Sequence, residues 1–146
     1  MLRLLVILVM LLPIVAVASE SSVCRHPDWE YEHVVPVSTL TTTFECSSDC
    51  MTNERFMTAY SDLHNTLIVP LSCSETQRLP LPYGRELRGA VARIYFYMID
   101  QHQLVVDQDY YMLLVNWSHI HPVSDWERER NRILTGITGK SNYYVD

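Results

Sequence analysis

Two short stretches of this chain carry the residue types that hydrolytic chemistry needs. Glu32-His33-Val34-Val35-Pro36 sets a histidine beside a carboxylate in a β-branched run, and Asp62-Leu63-His64-Asn65 sets a second histidine beside an amide. An imidazole titrates near neutrality, so His33 can take a proton from water at working pH. Carboxylate and amide oxygens are hard ligands, so Glu32 and Asn65 suit a hard cation held against a phosphate. The chemistry these types point to is metal-assisted hydrolysis of a phosphodiester. One constraint follows at once. Adjacent strand residues point to opposite faces, so Glu32 and His33 share a site only if the strand ends or twists there. Pro36 just beyond is consistent with such an end.

The elements that must position these residues are read from periodicity. Tyr31 to Val37 reads as a strand, and the polar, β-branched Thr39 to Thr43 as a second. Asn53 to Asn65 lacks glycine and proline, and Phe56, Tyr60, Leu63 and Leu67 sit at helical spacing. Residues 70–84 hold Pro70, Pro80, Pro82 and Gly84 and read as loop. From Glu86, the positions Leu87, Ala90, Val91, Ile94 and Met98 mark an amphipathic helix. Tyr110, Leu113, Leu114 and Trp117 mark another. Ser124-Asp125-Trp126-Glu127 has the form of a capping box opening a third helix, with Gly136 and Gly139 as stop signals. Tyr95, Phe96 and Tyr97 are read as core rather than as a base-stacking platform.

The ends and the cysteines speak of export. Residues 1–18 combine Arg3, an apolar run from Leu4 to Val17 and the small-residue signal Ala16-Val17-Ala18, the form of a secretory signal peptide. Residues 19–146 are then expected to form one soluble domain, off the membrane after cleavage. Cys24, Cys46, Cys50 and Cys73 all follow the expected cut, and an even number of cysteines in an exported chain implies two disulfides. No Cys-x-x-Cys pair favours a zinc site. The chain holds 17 acidic against 11 basic residues, a net charge of −6, which disfavours nucleic-acid binding by bulk charge. Its basic residues are unevenly placed, with Arg85, Arg88, Arg93, Arg128, Arg130, Arg132 and Lys140 gathered late. A local basic face is compatible with an acidic whole.

Together these motifs resemble the bacterial endonuclease I family. The resemblance runs through Glu32–Pro36, Asp62–Asn65 and Arg88–Met98. It continues in the tail, from Pro122 through Glu127, Arg130-Asn131-Arg132-Ile133 and Gly139 to Asn142. It implies an α+β fold with a ββα-metal, or His-Me, finger core and a mainly helical C-terminal half. It implies a periplasmic or secreted nuclease, sequence-nonspecific, acting on DNA and on RNA as a further candidate substrate, and leaving 5′-phosphate ends. By position, His33 matches the general base, and Glu32 and Asn65 match the protein ligands of one Mg²⁺. Asp62 and His64 match residues that orient the site. We expect a monomer.

The chain departs from the family in its finger loop, where Ser47-Ser48-Asp49 stand in place of basic residues. Gripping phosphate then falls to Arg78, Arg93 and Arg130, with Arg55 as a further substitute, although Arg93 is equally suited to a buried ion pair. A second reading, of another class, is a catalytically degenerate binding protein on the same scaffold. The disulfides expected are Cys46–Cys50, closing the finger loop, and Cys24–Cys73, tying the start of the domain to the loop after the catalytic helix. The mature N-terminus should be Ser19, and peptide mapping without reductant should recover these two pairs. A Cys24–Cys46 or Cys24–Cys50 peptide would refute the pairing.

Overall fold

A β-branched run stops being a strand where its amides lose ladder partners, and here that point is His33. The computed structural model describes residues 29–70 and 87–145. Strand β1 (Trp29–His33) pairs antiparallel with β2 (Thr66–Pro70), in a register running from Trp29 opposite Pro70 to His33 opposite Thr66. The expected strand Tyr31–Val37 is therefore shifted towards the N-terminus and cut at His33.

Thr39–Thr43 is not a strand. It lies in helix α1 (Val37–Thr43), which starts directly after Pro36. Proline cannot donate to a ladder but suits a helix start. The hydroxyls of Thr41 and Thr42 both donate to Ser38 O, at 2.9 Å each, and so meet a helical carbonyl rather than a neighbouring strand. Leu40 from this helix is fully buried. The second strand is instead β2, whose Leu67 packs in the core where helical spacing had been read.

The expected helix 53–65 also breaks. Helix α2 (Glu54–Tyr60) is capped by Asn53, whose side chain accepts from Phe56 N at 3.0 Å. It stops at Ser61, and a 3-10 turn (Leu63–Asn65) follows. Asp62 causes the break: its extended backbone and its acceptance of the His64 N–H restart the chain as a new turn. The described order is thus strand, two helices, strand. Cys46 and Cys50 form the expected disulfide, with Cα atoms 5.0 Å apart, just after α1. The pairing expected for Cys24 and Cys73, Arg78 and the cleavage site lie outside the described residues.

The second half is helical, as its periodicity predicts. Helix α3 (Arg88–His102) is buried from Gly89 through Met98 on nearly every face, so it is a central helix rather than an amphipathic one. Its Tyr95, Phe96 and Tyr97 are core residues. Helix α4 (Gln108–Ile120) packs along it with Leu114 and Trp117. Helix α5 (Asp125–Thr138) opens on the predicted capping box and runs through Gly136 to a C-cap at Gly139, which adopts φ 72°. One apolar cluster joins both halves, from Val34, Val35, Leu40 and Phe56 to Val91, Met98 and Leu114. No helix among the described residues is long and apolar enough to cross a membrane.

A buried ion pair locks α5 onto α3. Arg93 donates from Nε to Glu127 Oε2 and from Nη2 to Glu127 Oε1, both at 2.7 Å, and from Nη1 to His121 O at 2.9 Å. Glu127 is also the capping-box residue, accepting from Ser124 N at 3.1 Å. Gly89 permits this approach. A Cβ there would stand 2.5 Å from His121 O and 2.6 Å from Arg93 Nη2. Removing one member of a buried pair leaves an uncompensated charge. Glu127→Ala should therefore lower unfolding stability by about 3 kcal/mol in urea denaturation, well beyond the ~1 kcal/mol of a lost cap. A loss no larger than that of the cap would show the pair to be energetically idle.

Candidate functional site: a strand end and a buried turn

His33 is the last residue of β1 and is half-buried. Its ring stacks on Tyr60, with centroids 4.5 Å apart, and Nε2 lies 2.9 Å from Tyr60 O. A carbonyl oxygen only accepts, so Nε2 carries the hydrogen and Nδ1 holds the lone pair. The contact thus selects the tautomer and leaves one basic nitrogen.

Asn65 ties the turn to the strand end. Its carbonyl accepts from Val34 N and its Oδ1 from Val35 N, both at 2.8 Å. The residue is fully buried, and Nδ2 has no hydrogen-bond partner. Glu32 is half-buried beside His33 and pairs in register with Leu67, two residues from Asn65. Glu32 and His33 both fall within the paired register of β1, and the strand ends just after them.

By residue type, Glu32 and Asn65 would suit a hard divalent cation. Asn65 Oδ1 keeps a second lone pair beyond the one that takes the Val35 amide, whereas its unpartnered Nδ2 is a donor and could serve only an acceptor. A carboxylate and an amide oxygen form the sparse donor set of an ion that keeps most of its water. No group of three or more His, Cys, Asp or Glu gathers among the described residues. Any cation here would rest on Glu32, Asn65 and water.

Asp62 is the junction of the turn. It accepts from His64 N at 2.9 Å, from Tyr97 Oη at 3.0 Å and from His102 Nε2 at 2.8 Å. Burial alone would raise its pKa, but the hydrogen bonds from His102, His64 and Tyr97 outweigh it and hold the carboxyl below its ordinary range. Tyr97 is in turn pushed well above the usual phenol value, by burial first and by Asp62 second. His64 is fully buried and donates from Nε2 to Lys140 O at 3.0 Å, leaving Nδ1 without a partner. Burial holds its pKa below the ordinary value. Sequence reasoning missed Tyr60, Tyr97 and His102. No local pattern points to them, because they meet the motif residues across 27, 35 and 40 positions.

Two of the arginines expected to grip phosphate, Arg93 and Arg130, make inward contacts. Arg93 is 3% exposed and bonds to Glu127 and His121, the buried ion pair of its alternative reading. Arg130 turns inward too. Its Nη2 donates to the carbonyls of Leu63 and His64, at 3.2 Å each, and to that of Thr66. Burial pulls its pKa down to about 10, against the pull of Glu127 and Asp62. Arg55 is exposed but stands over the Phe44 ring, at 5.3 Å, and reaches Gln103 Oε1 at 3.4 Å.

The helices that close this site from behind also carry the clearest kinship. Residues 81–146 match the family model Endonuclease I. This segment is similar to the endonuclease I family. Similarity to individual relatives reaches into the first half. The chain is 27% identical over 146 residues to Endonuclease-1 of Buchnera aphidicola subsp. Acyrthosiphon pisum, covering 80% of this chain and 58% of that protein. It is 37% identical over 59 residues to the extracellular endonuclease of Pseudomonas fluorescens biotype A, covering 40% of this chain and 26% of that one. It is 25% identical over 148 residues to an extracellular deoxyribonuclease of Aeromonas hydrophila, covering 80% of this chain and 64% of that one. The chain thus spans less than two thirds of the length of each of these relatives.

The protonation of the turn sets a pH dependence. Unfolded His64 takes a proton below its ordinary 6.5, whereas the folded ring resists it, so stability falls as pH drops from 6.5 towards the lower native value. Asp62 adds a second loss below 3.8, as pH falls through its own lowered native value. Thermal melts between pH 7.5 and 4 should show the first decline, and His64→Gln should flatten it. An unchanged slope in that variant would place the acid sensitivity elsewhere.

Proposed function

We propose that this chain is an exported, Mg²⁺-dependent, sequence-nonspecific endonuclease with a His-Me finger core, acting as a monomer. Its substrate is DNA, with RNA as a further candidate, and its products carry 5′-phosphates. The observation that carries the reading is the His33–Tyr60 contact, which leaves Nδ1 as the basic nitrogen of a strand-end histidine. Kinship to proteins named endonucleases and deoxyribonucleases supports the substrate class. Relatives named extracellular or periplasmic support a periplasmic or secreted location.

In this reading His33 Nδ1 takes a proton from water, whose oxygen attacks phosphorus as the bond to the 3′ oxygen breaks. Tyr60 O holds the ring in the right tautomer and stabilises the imidazolium that forms. Glu32 and Asn65 would hold Mg²⁺, which when bound neutralises charge on the phosphate and on the leaving oxygen. Asp62 and His64 keep the turn in place and touch no substrate.

The second reading, a degenerate binding protein, draws on one specific observation. Of the three arginines nominated for phosphate, the two described ones face inward. Plasmid nicking with Mg²⁺ and with EDTA separates the two. His33→Ala should cut the rate by ~10²–10⁴ in a folded protein. Glu32→Ala and Asn65→Ala should raise the Mg²⁺ midpoint at saturating DNA. Wild-type protein that neither nicks nor binds DNA in a salt-sensitive way would favour the degenerate scaffold.

A further inference from the structure

We propose that Arg130 is a positioning residue for the turn that presents Asn65, acting on metal affinity rather than on nucleic acid. The turn is short, so its terminal amides and carbonyls lack partners within it. Asp62 takes the amide end, accepting from His64 N. Arg130 takes the carbonyl end, with one nitrogen serving Leu63, His64 and Thr66. Asn65 lies between these carbonyls, and its own carbonyl and Oδ1 receive the Val34 and Val35 amides. A guanidinium from α5 thus sets the orientation of a residue it does not touch through the side chain. His64, which reaches Lys140 O just beyond the same helix, adds a second tether from that side.

A charge placed this way carries a signature that a phosphate contact lacks. Partners that orient metal-binding side chains typically govern affinity for the ion. Phosphate contacts govern the salt dependence of nucleic-acid binding. The inference rests on the reading of Asn65 as a metal ligand, and the test below separates the two.

Wild type, Arg130→Ala and Arg130→Lys are compared by three measurements: the Mg²⁺ midpoint of plasmid nicking at saturating DNA, Mg²⁺ binding to DNA-free protein by calorimetry, and amide hydrogen exchange. Arg130→Ala should weaken Mg²⁺ on the order of 10–100-fold in both metal measurements, with much of the rate recovered at high Mg²⁺. Exchange should accelerate at Leu63–Thr66 while α3 stays protected. Arg130→Lys, with three donors on one atom, should restore part of each effect. Arg130→Gln replaces the alanine variant if that one does not fold. Unchanged Mg²⁺ affinity together with unchanged exchange in a folded variant overturns the proposal. So does a shallower salt dependence of DNA binding with the Mg²⁺ midpoint unmoved. If wild type shows neither Mg²⁺ binding nor nicking, the nuclease reading falls. Hydrogen exchange then decides the clamp alone, acceleration keeping it and constancy removing it.

Discussion

Two hydrogen bonds join the end of one strand to a single asparagine, and the geometry of the site hangs on them. Val34 N–H meets the Asn65 carbonyl and Val35 N–H meets its side chain, so the two amides beyond His33 leave the ladder without being buried unpaired. That frees the chain to bend at Pro36 while His33 remains fixed against Tyr60. The asparagine is then a brace, and in the proposed reading a source of ligand oxygen as well. Its partners on the other side, Asp62, His64 and Arg130, hold it from α3, from α5 and from the segment after α5. A buried polar network of this kind is favourable only when most members are present, which makes the turn an all-or-none unit.

The helical second half was legible because its signals are local. The capping box at Ser124 and Glu127 and the C-cap at Gly139 report on residues within one turn of themselves. The first half was less so. Thr39–Thr43 has strand-like composition, yet Pro36 and the back-bonding threonine hydroxyls make it helix α1. The helical spacing of Leu63 and Leu67 continues across Asp62, whose side chain ends that helix by offering the backbone a better partner. Competition between a side chain and the helix ladder leaves no trace in a hydrophobic pattern. The motif residues themselves could be named from type and order. Their partners could not, since Tyr60, Tyr97 and His102 are ordinary residues made special by distant contacts.

The charge of the molecule has a related explanation. An arginine cluster in sequence suggests an external basic face, but arginine is also the side chain best able to satisfy several carbonyls at once. Arg130 is used in that way, and Arg93 is engaged by a carboxylate and one carbonyl, inside a chain whose net charge is −6. The inward arginines hold the frame, and attraction for a polyanion must come from other groups.

The contact between His64 and Lys140 spans 76 positions, and that between Arg130 and the turn more than 60. Contacts of such separation form late, because the loop they close must be ordered first. A ribosome releases this chain from its N-terminus, so His33 and Asn65 emerge long before the groups that brace them. The bracing of the turn is complete only once Lys140 has been made. The order of residues along the chain therefore acts as a delay on assembly, keeping the motif unbraced during synthesis.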